Sequence, residues 1–349
     1  MYKLFDYTQL EKRQWDKEIL NYIGLIHEFK GRQQLYLSKK PGELDKLIEL
    51  AKCQSTKASN EIEGIVTTNQ RLIQLMEEKT TPKNRNEKEI KGYRYALNLV
   101  HENFEYIPIR PNFILQLHKE MYQFLDVRFG GNFKDTRNEI DTVYPDGRKE
   151  VIFKPLEPYE TPEAIERICN EYNNLISRGT VDPLVVIPVF IHDFLCIHPF
   201  NDGNGRMSRL LTTLLLYKSG YVVGRYISLE KKIQITKDDY YDALSQSSKG
   251  WHESEHDDTP FVKYLLGTIV AAYRDFEERV NLVGTPLSAK EMVIKAVNQK
   301  LGRFTKSEIM ELCPEIGRGS VESALKVLCE EGVIEKYGGG RSTFYVRLR

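Results

Sequence analysis

Between Pro183 and Cys196 the chain is almost wholly apolar, and the run ends at His198-Pro199-Phe200. A stretch of this length makes about four helical turns with no polar face, so it reads as a helix buried on most sides. A membrane span takes roughly 18 consecutive apolar residues, and here the continuous part stops at His192 and Asp193. A loop of Asn, Asp and Gly follows, and a second apolar helix begins near Gly205 and runs to about Ser219. Two buried helices meeting at a tight polar loop need a layer of further helices to cover them.

The flanking sequence has that texture. Residues 9–80 are rich in Leu, Glu, Lys and Gln with apolar positions three and four apart, as in Leu44, Leu47, Ile48 and Ala51. Pro82 to Asn86 marks a break, and residues 87–125 give two more helical patterns separated by Pro108 to Pro111. From about 132 to 157 the pattern changes to RNEIDTVY and KEVIFKP around Pro145, Asp146 and Gly147, a β-hairpin signal. Thr161, Pro162 and Glu163 read as an N-cap, a proline at the first helical position and an acid suited to the helix dipole. Beyond Gly284, Ser288 with Glu291 and Thr305 with Glu308 form two capping boxes, and a third helix spans Val321 to Glu331. VIEKY, Gly338 to Gly340 and TFYVRL then make a strand, a turn and a strand. The expected fold class is all-α, a helical bundle carrying one β-hairpin, with a C-terminal winged helix-turn-helix domain. The expected divisions are an N-terminal helical region 1–86, a central domain 87–283 and a winged helix 284–349.

Composition narrows the partners. The 349 residues hold 50 Lys plus Arg and 50 Asp plus Glu, so no global field favours nucleic acid or an anionic membrane. Cys53, Cys169, Cys196, Cys313 and Cys329 are scattered with no C-x-x-C pair, which reads as reduced thiols without structural zinc. The charged start MYKLFDYTQLEKRQWDKEIL lacks the apolar core of a signal peptide, so a cytoplasmic location is expected. Residues 285–349 carry 11 basic against 8 acidic residues, a mild excess. The third helix there mixes Arg318 and Lys326 with Glu322, Glu330 and Glu331, an indifferent surface for phosphates.

The chemistry concentrates in HPFNDGNGRMSR, His198 to Arg209. Gly203, Asn204 and Gly205 open a helix N-terminus, where unpaired N–H groups and the helix dipole attract an anion such as phosphate. Arg206 and Arg209 lie three apart on that helix and project from one side, suited to forking onto phosphate oxygens. Asp202 offers a carboxylate to Mg²⁺, which binds through one or two carboxylates plus the substrate's phosphates. His198, titrating near neutrality, suits taking a proton from an incoming hydroxyl. His192 reads as a hydrogen-bonded core histidine, and WHESEHDD, with His252 and His256, as a solvated polar loop.

This segment resembles the HPFx[D/E]GNGRxxR signature of the Fic (filamentation induced by cAMP) family at every position. The resemblance implies a Fic-type helical bundle and AMPylation, the transfer of AMP from ATP to a Ser, Thr or Tyr hydroxyl of a target protein or of the enzyme itself. His198 is then the general base, Asp202 the Mg²⁺ ligand, Gly203, Asn204 and Gly205 the anion hole, and Arg206 and Arg209 the ligands of the β- and γ-phosphates. SNEIEG, residues 59–64, resembles the family's inhibitory [S/T]xxxE[G/N]: Ser59 and Glu63 share one helix face, and the glutamate reaches Arg209 and disturbs the γ-phosphate. The hairpin at Tyr144, Asp146 and Gly147 resembles the flap that aligns the target by strand addition, and Tyr240 and Tyr241 resemble tyrosines that contact adenine. The expected partners are ATP and a protein with an acceptor hydroxyl; a second copy of the chain and DNA stay open, and no membrane partner is expected. The rival readings are a DNA-binding regulator whose Fic domain senses nucleotide, and a Fic enzyme transferring another nucleotide or phosphate group.

Overall fold

The two buried helices and the loop between them are present in the computed structural model, which describes residues 3–39, 44–143, 149–283, 288–300, 302–314 and 316–348. In chain order the elements begin with α1 (Lys17–Lys39), α2 (Asp45–Ile62), α3 (Asn69–Met76), α4 (Arg85–Asn103) and α5 (Pro111–Met121). The hairpin β1 (Ile140–Val143) and β2 (Lys149–Phe153) comes next. It is followed by α6 (Thr161–Arg178), α7 (Pro183–Ile197), α8 (Asn204–Lys218), α9 (Leu229–Ile235), α10 (Lys237–Ser247) and α11 (Thr259–Val283). The chain divides into two compact units, Met1–Lys30 with Ala51–Ala272 and Gly31–Leu50 with Tyr273–Arg349. The first unit thus takes in parts of both the expected 1–86 and 87–283 segments.

Local chemistry sets most helix ends. Thr68 and Asn84 cap α3 and α4 by accepting from the backbone N–H of Arg71 and Glu87. Gly179 ends α6 in the left-handed region at φ 64°. Helix α6 begins at Thr161 itself, one residue earlier than expected, with Glu160 in the cap position. The Thr161 hydroxyl turns back to donate to the Glu157 carbonyl, which removes it from the capping role.

Helix α7 forms against its own propensity. It contains Val185, Val186, Ile187, Val189 and Ile191 and an internal Pro188; β-branched residues cost a few tenths of a kcal/mol each and an internal proline about 3 kcal/mol. Every residue from Leu184 to Ile197 is buried, and each large apolar side chain so buried contributes roughly 1.5–3 kcal/mol. Packing therefore outweighs propensity. Asp182 caps the start, its carboxylate accepting from the Leu184 N–H at 2.8 Å, and Pro183 fills the first helical position. Helices α6 and α8 pack against α7, and α4 lies against both α5 and α8.

Strands β1 and β2 pair antiparallel, with Ile140 opposite Phe153 and a bulge after Ile140. The turn expected at Asp146 and Gly147, with Tyr144, lies outside the described residues.

In the second unit, α12 (Ala289–Asn298) and α13 (Lys306–Leu312) open with the two expected capping boxes, and β3 (Arg303–Phe304) lies between them. Helix α14 (Arg318–Glu330) leads to β4 (Ile334–Tyr337) and β5 (Phe344–Arg347), and the strands order as β3-β5-β4. Val293, Phe304, Ile309, Val321, Leu325 and Leu328 are among the residues of its core. Among the described residues no helix is long and apolar enough to cross a membrane.

Candidate active site

The last turn of α7 aims the histidine. His198 sits at the helix C-cap with φ 52° and ψ 63°, and its N–H closes the helix on the Phe194 carbonyl at 3.0 Å. Its Nδ1 lies 3.2 Å from the Leu195 carbonyl oxygen. A carbonyl only accepts, so Nδ1 carries the proton and Nε2 presents a lone pair. Burial pushes the His198 pKa down to about 4, so the ring is neutral, and able to accept a proton, throughout the physiological range.

The loop after it is braced from within and from below. Asn204 folds back on Phe200, accepting from its N–H at 2.9 Å and donating to its carbonyl at 2.7 Å. The Phe200 ring stacks on His118 at 3.7 Å between centroids. His118 Nε2 donates to the Asp202 carbonyl at 3.0 Å while its Nδ1 accepts from the Gly131 N–H at 3.0 Å. Those two bonds require neutral imidazole, and burial holds His118 at about 4 and His101 at about 3.

A pH dependence of stability follows, and its sign is fixed by these three shifts. Each histidine is held below its unfolded value near 6.5, so as pH falls the unfolded chain takes up protons the folded one refuses, and stability is lost. Between pH 6.5 and 4.5, above the ordinary carboxylate range, the loss is on the order of 2 kcal/mol apiece. At His192 burial opposes the charge, but Cys196 and Asp258 raise its pKa to about 10, so its contribution is constant in that window. Thermal melts at pH 7 and 4.5 check this: a clear drop in Tm is expected, and an unchanged Tm would contradict the three buried neutral rings.

The glycines leave room for neighbours rather than for turns alone. A Cβ on Gly203, which has φ 83°, would come within 2.7 Å of the Met121 methyl and 2.8 Å of the Tyr122 hydroxyl. A Cβ on Gly205 would collide with the Glu63 carboxylate. Glu63 therefore lies at the N-terminus of α8, where the sequence places an anion.

The arginines behave differently from each other. Arg209 Nε donates to the Ser59 hydroxyl at 2.9 Å, and Nη2 donates to the Ser59 carbonyl at 2.9 Å and to Glu63 Oε1 at 2.7 Å. Its Nη1 is buried with no hydrogen-bond partner among the described residues. Burial opposes the charge of Glu63, but the Arg209 guanidinium outweighs it and holds the carboxyl below its ordinary range. Arg206 is buried deeper in a set of fixed partners: Glu89 at 2.8 Å, the Tyr122 hydroxyl at 2.6 Å and Asn60 Oδ1 at 3.5 Å. Helix α2 is itself anchored, with Ser55 donating to Glu230 at 2.6 Å and Lys237 donating to the Ile62 carbonyl at 2.8 Å.

Asp202 stands at the open side. Its carboxylate is 43% exposed, and its ion pairs are long, 3.4 Å to Arg85 and 3.8 Å to Arg206. An oxygen donor that is accessible and loosely paired suits Mg²⁺. A second group, His192, His256 and Asp258, also brings its ligand atoms within 4.8 Å of one another. Arg13 already pairs with Asp258 at 3.3 Å and His192 Nδ1 binds it at 2.9 Å, and two imidazoles beside a neutralised carboxylate do not suit Mg²⁺. The expectation of a solvated loop at WHESEHDD holds for Glu253, Ser254, Glu255 and Asp257, which are exposed, and fails at its two ends. Trp251 is buried with its indole N–H on Asp193 at 2.7 Å, Asp258 is buried, and His252 stacks on Phe153.

A cavity of about 930 Å³ joins these groups, within the range of roughly 300–1,000 Å³ usual for ligand sites. His198, Asp202, Gly203, Asn204, Gly205, Arg206, Arg209 and Glu63 line it, with Tyr240, Tyr241 and the hairpin residues Ile140, Asp141, Ile152 and Phe153. Tyr240 is buried and Tyr241 half-exposed, their rings edge to face at 5.2 Å. His118, Glu89 and Tyr122 have no place in the sequence analysis; His118 and Glu89 are ordinary helix residues and Tyr122 caps the end of α5, and only the fold brings them to the loop and its arginine.

Residues 108–216, which contain this loop, match the Fic/DOC family. The chain therefore carries a Fic/DOC region over those residues. The chain is 29% identical over 146 residues to a Fido domain-containing protein of Dictyostelium discoideum, covering 41% of this chain and 95% of that one. It is 28% identical over 188 residues to the protein adenylyltransferase fic-1 of Caenorhabditis elegans, covering 54% of this chain but only 31% of the nematode protein. The crystal structure of a Fic family protein from Desulfovibrio desulfuricans shares the fold, with a TM-score of 0.63, 20% identity and coverage of 96% of this chain and 97% of that one.

Proposed function

We propose that the protein is an ATP- and Mg²⁺-dependent protein adenylyltransferase, transferring AMP to a Ser, Thr or Tyr hydroxyl of a target protein and of itself, and held in check by Glu63. The observation that carries this reading is a neutral His198 whose free Nε2 shares one cavity with an α8 N-terminus and the unmatched Nη1 of Arg209. Nε2 takes the proton of the acceptor hydroxyl, the oxygen bonds to the α-phosphorus, and the bond from that phosphorus to the bridging oxygen breaks, releasing pyrophosphate. The N–H groups at Gly203 to Gly205 and the guanidinium of Arg209 hold the polyphosphate. Asp202 would hold Mg²⁺, which when bound neutralises phosphate charge. The exposed strands of the flap dock the target segment, and Tyr240 and Tyr241 border the space for the base.

The same reading takes the 284–349 segment as a winged helix and the location as cytoplasmic. On α14, Glu322 is bound by Arg318 of the same helix and by Lys306 of α13, and Lys326 lies 3.8 Å from Glu330. DNA phosphates would have to displace those acids, so we favour a protein partner for this surface.

Incubation with ATP labelled at the α- or the γ-phosphate tests the reaction. Label retained on protein from the α position alone is expected; label from the γ position alone would mean a kinase and overturn the proposal.

A further inference from the structure

Four consecutive carbonyls run through the catalytic loop, and two side chains from one distant segment meet three of them. Lys134 Nζ donates to the Ile197 carbonyl at 3.0 Å and to Asn138 Oδ1 at 2.9 Å. The Lys134 backbone N–H donates to the Pro199 carbonyl at 2.8 Å. Asn138 Nδ2 donates to the carbonyls of His198 at 3.3 Å and Phe200 at 3.0 Å. Carbonyls at a helix end have no partner within the helix, and a cation there also meets the negative end of the dipole. Lys134 is buried, which lowers its pKa to about 8, so it still carries its charge at neutral pH, against these acceptors.

We infer that Lys134 and Asn138 are positioning residues for the transfer reaction, clamping the backbone from Ile197 to Phe200 and so fixing where His198 Nε2 points. The inference rests on reading His198 as the general base. The clamp acts through geometry, since a displacement of about 1 Å in a reacting group costs about 10²-fold in rate. It also acts through charge. The charged groups facing His198 are Lys134, Glu63 at the end of α2 and Asp202 in its own loop; the lysine favours the neutral ring, and the two carboxylates favour the charged one. Asn138 stands two residues before β1, so the clamp is continuous with the hairpin whose Ile140 and Asp141 line the cavity.

The test uses the full chain with Lys134→Met, Lys134→Arg and Asn138→Asp. Lys134→Met removes the ammonium, Lys134→Arg restores a cation with donors, and Asn138→Asp keeps the shape but removes both donors to the loop. Histidine-selective NMR follows the titration of His198 without any need for activity, and AMP transfer gives kcat and KM for ATP. In Lys134→Met the His198 midpoint should rise by about one pH unit, and kcat should fall about tenfold or more with KM for ATP within about twofold. Lys134→Arg should recover both, and Asn138→Asp should lose kcat although it folds. An unmoved midpoint, or an arginine variant as poor as the methionine one, would overturn the positioning role. If wild type transfers no AMP, the enzyme reading fails, while the midpoint in Lys134→Met still decides the clamp.

Discussion

His198→Ala is expected to lower AMP transfer by about 10²- to 10⁴-fold, the usual loss when a general base is removed, while ATP affinity stays close to wild type. The two effects separate because the groups involved are separate. His198 binds only backbone through its ring, at the Leu195 carbonyl, whereas the anion cradle consists of the α8 N-terminus and Arg209. Affinity therefore survives the loss of the base. Residue 198 has a positive φ, a region that costs most residues about 1–2 kcal/mol, so His198→Asn is the better-tolerated companion, since asparagine enters that region readily and offers no base. Initial rates with α-labelled ATP, set beside calorimetric affinities for ATP, check both variants. Full activity in either would remove His198 from the chemistry.

The candidate loop stands out in the sequence because its residue types are contiguous. The proposed base, carboxylate, glycines and arginines fall within twelve positions, and the flanking helices announce themselves by apolar runs. Its support was not legible. Lys134, Asn138 and His118 approach the loop from 60 to 84 positions away, as residue types that populate any surface, and nothing in their local sequence distinguishes them. Arg206 shows the same limit from the other side: spacing puts it beside Arg209, but only the fold supplies Glu89 and Tyr122, which occupy it. The buried ends of WHESEHDD mislead for a related reason. Its charges suggest solvent, yet Asp258 finds His192 on α7 and Arg13 near the N-terminus, and paired charges can be buried.

Glu63→Gly is expected to raise the rate of self-modification by about 10- to 100-fold. Arg209 Nη2 binds Glu63 at 2.7 Å, and the carboxylate lies against Gly205 at the start of α8, so one anion occupies both the guanidinium and the N-terminal cradle that a γ-phosphate needs. A charge-assisted hydrogen bond of this kind is worth about 1.5–3 kcal/mol, which converts to about 10- to 100-fold at 1.4 kcal/mol per decade. On the proposed reading ATP would still enter, because the cavity is large and Asp202 is open, but with Arg209 occupied its phosphates would not lie in line with the acceptor oxygen. The gain should therefore appear in kcat more than in KM. The substitution is mild for the fold: Glu63 follows the last residue of α2, which stays anchored through Ser55 on Glu230 and the Ile62 carbonyl on Lys237. Glu63→Gln, which keeps a hydrogen-bonding oxygen but no charge, should fall between wild type and Glu63→Gly. Adding Arg209→Ala should cancel the gain, since the freed arginine is what the activated variant uses. Rates measured under matched ATP and Mg²⁺ decide it: equal rates for wild type and Glu63→Gly would leave the Glu63–Arg209 pair as a structural contact and His198 as an unrestrained base.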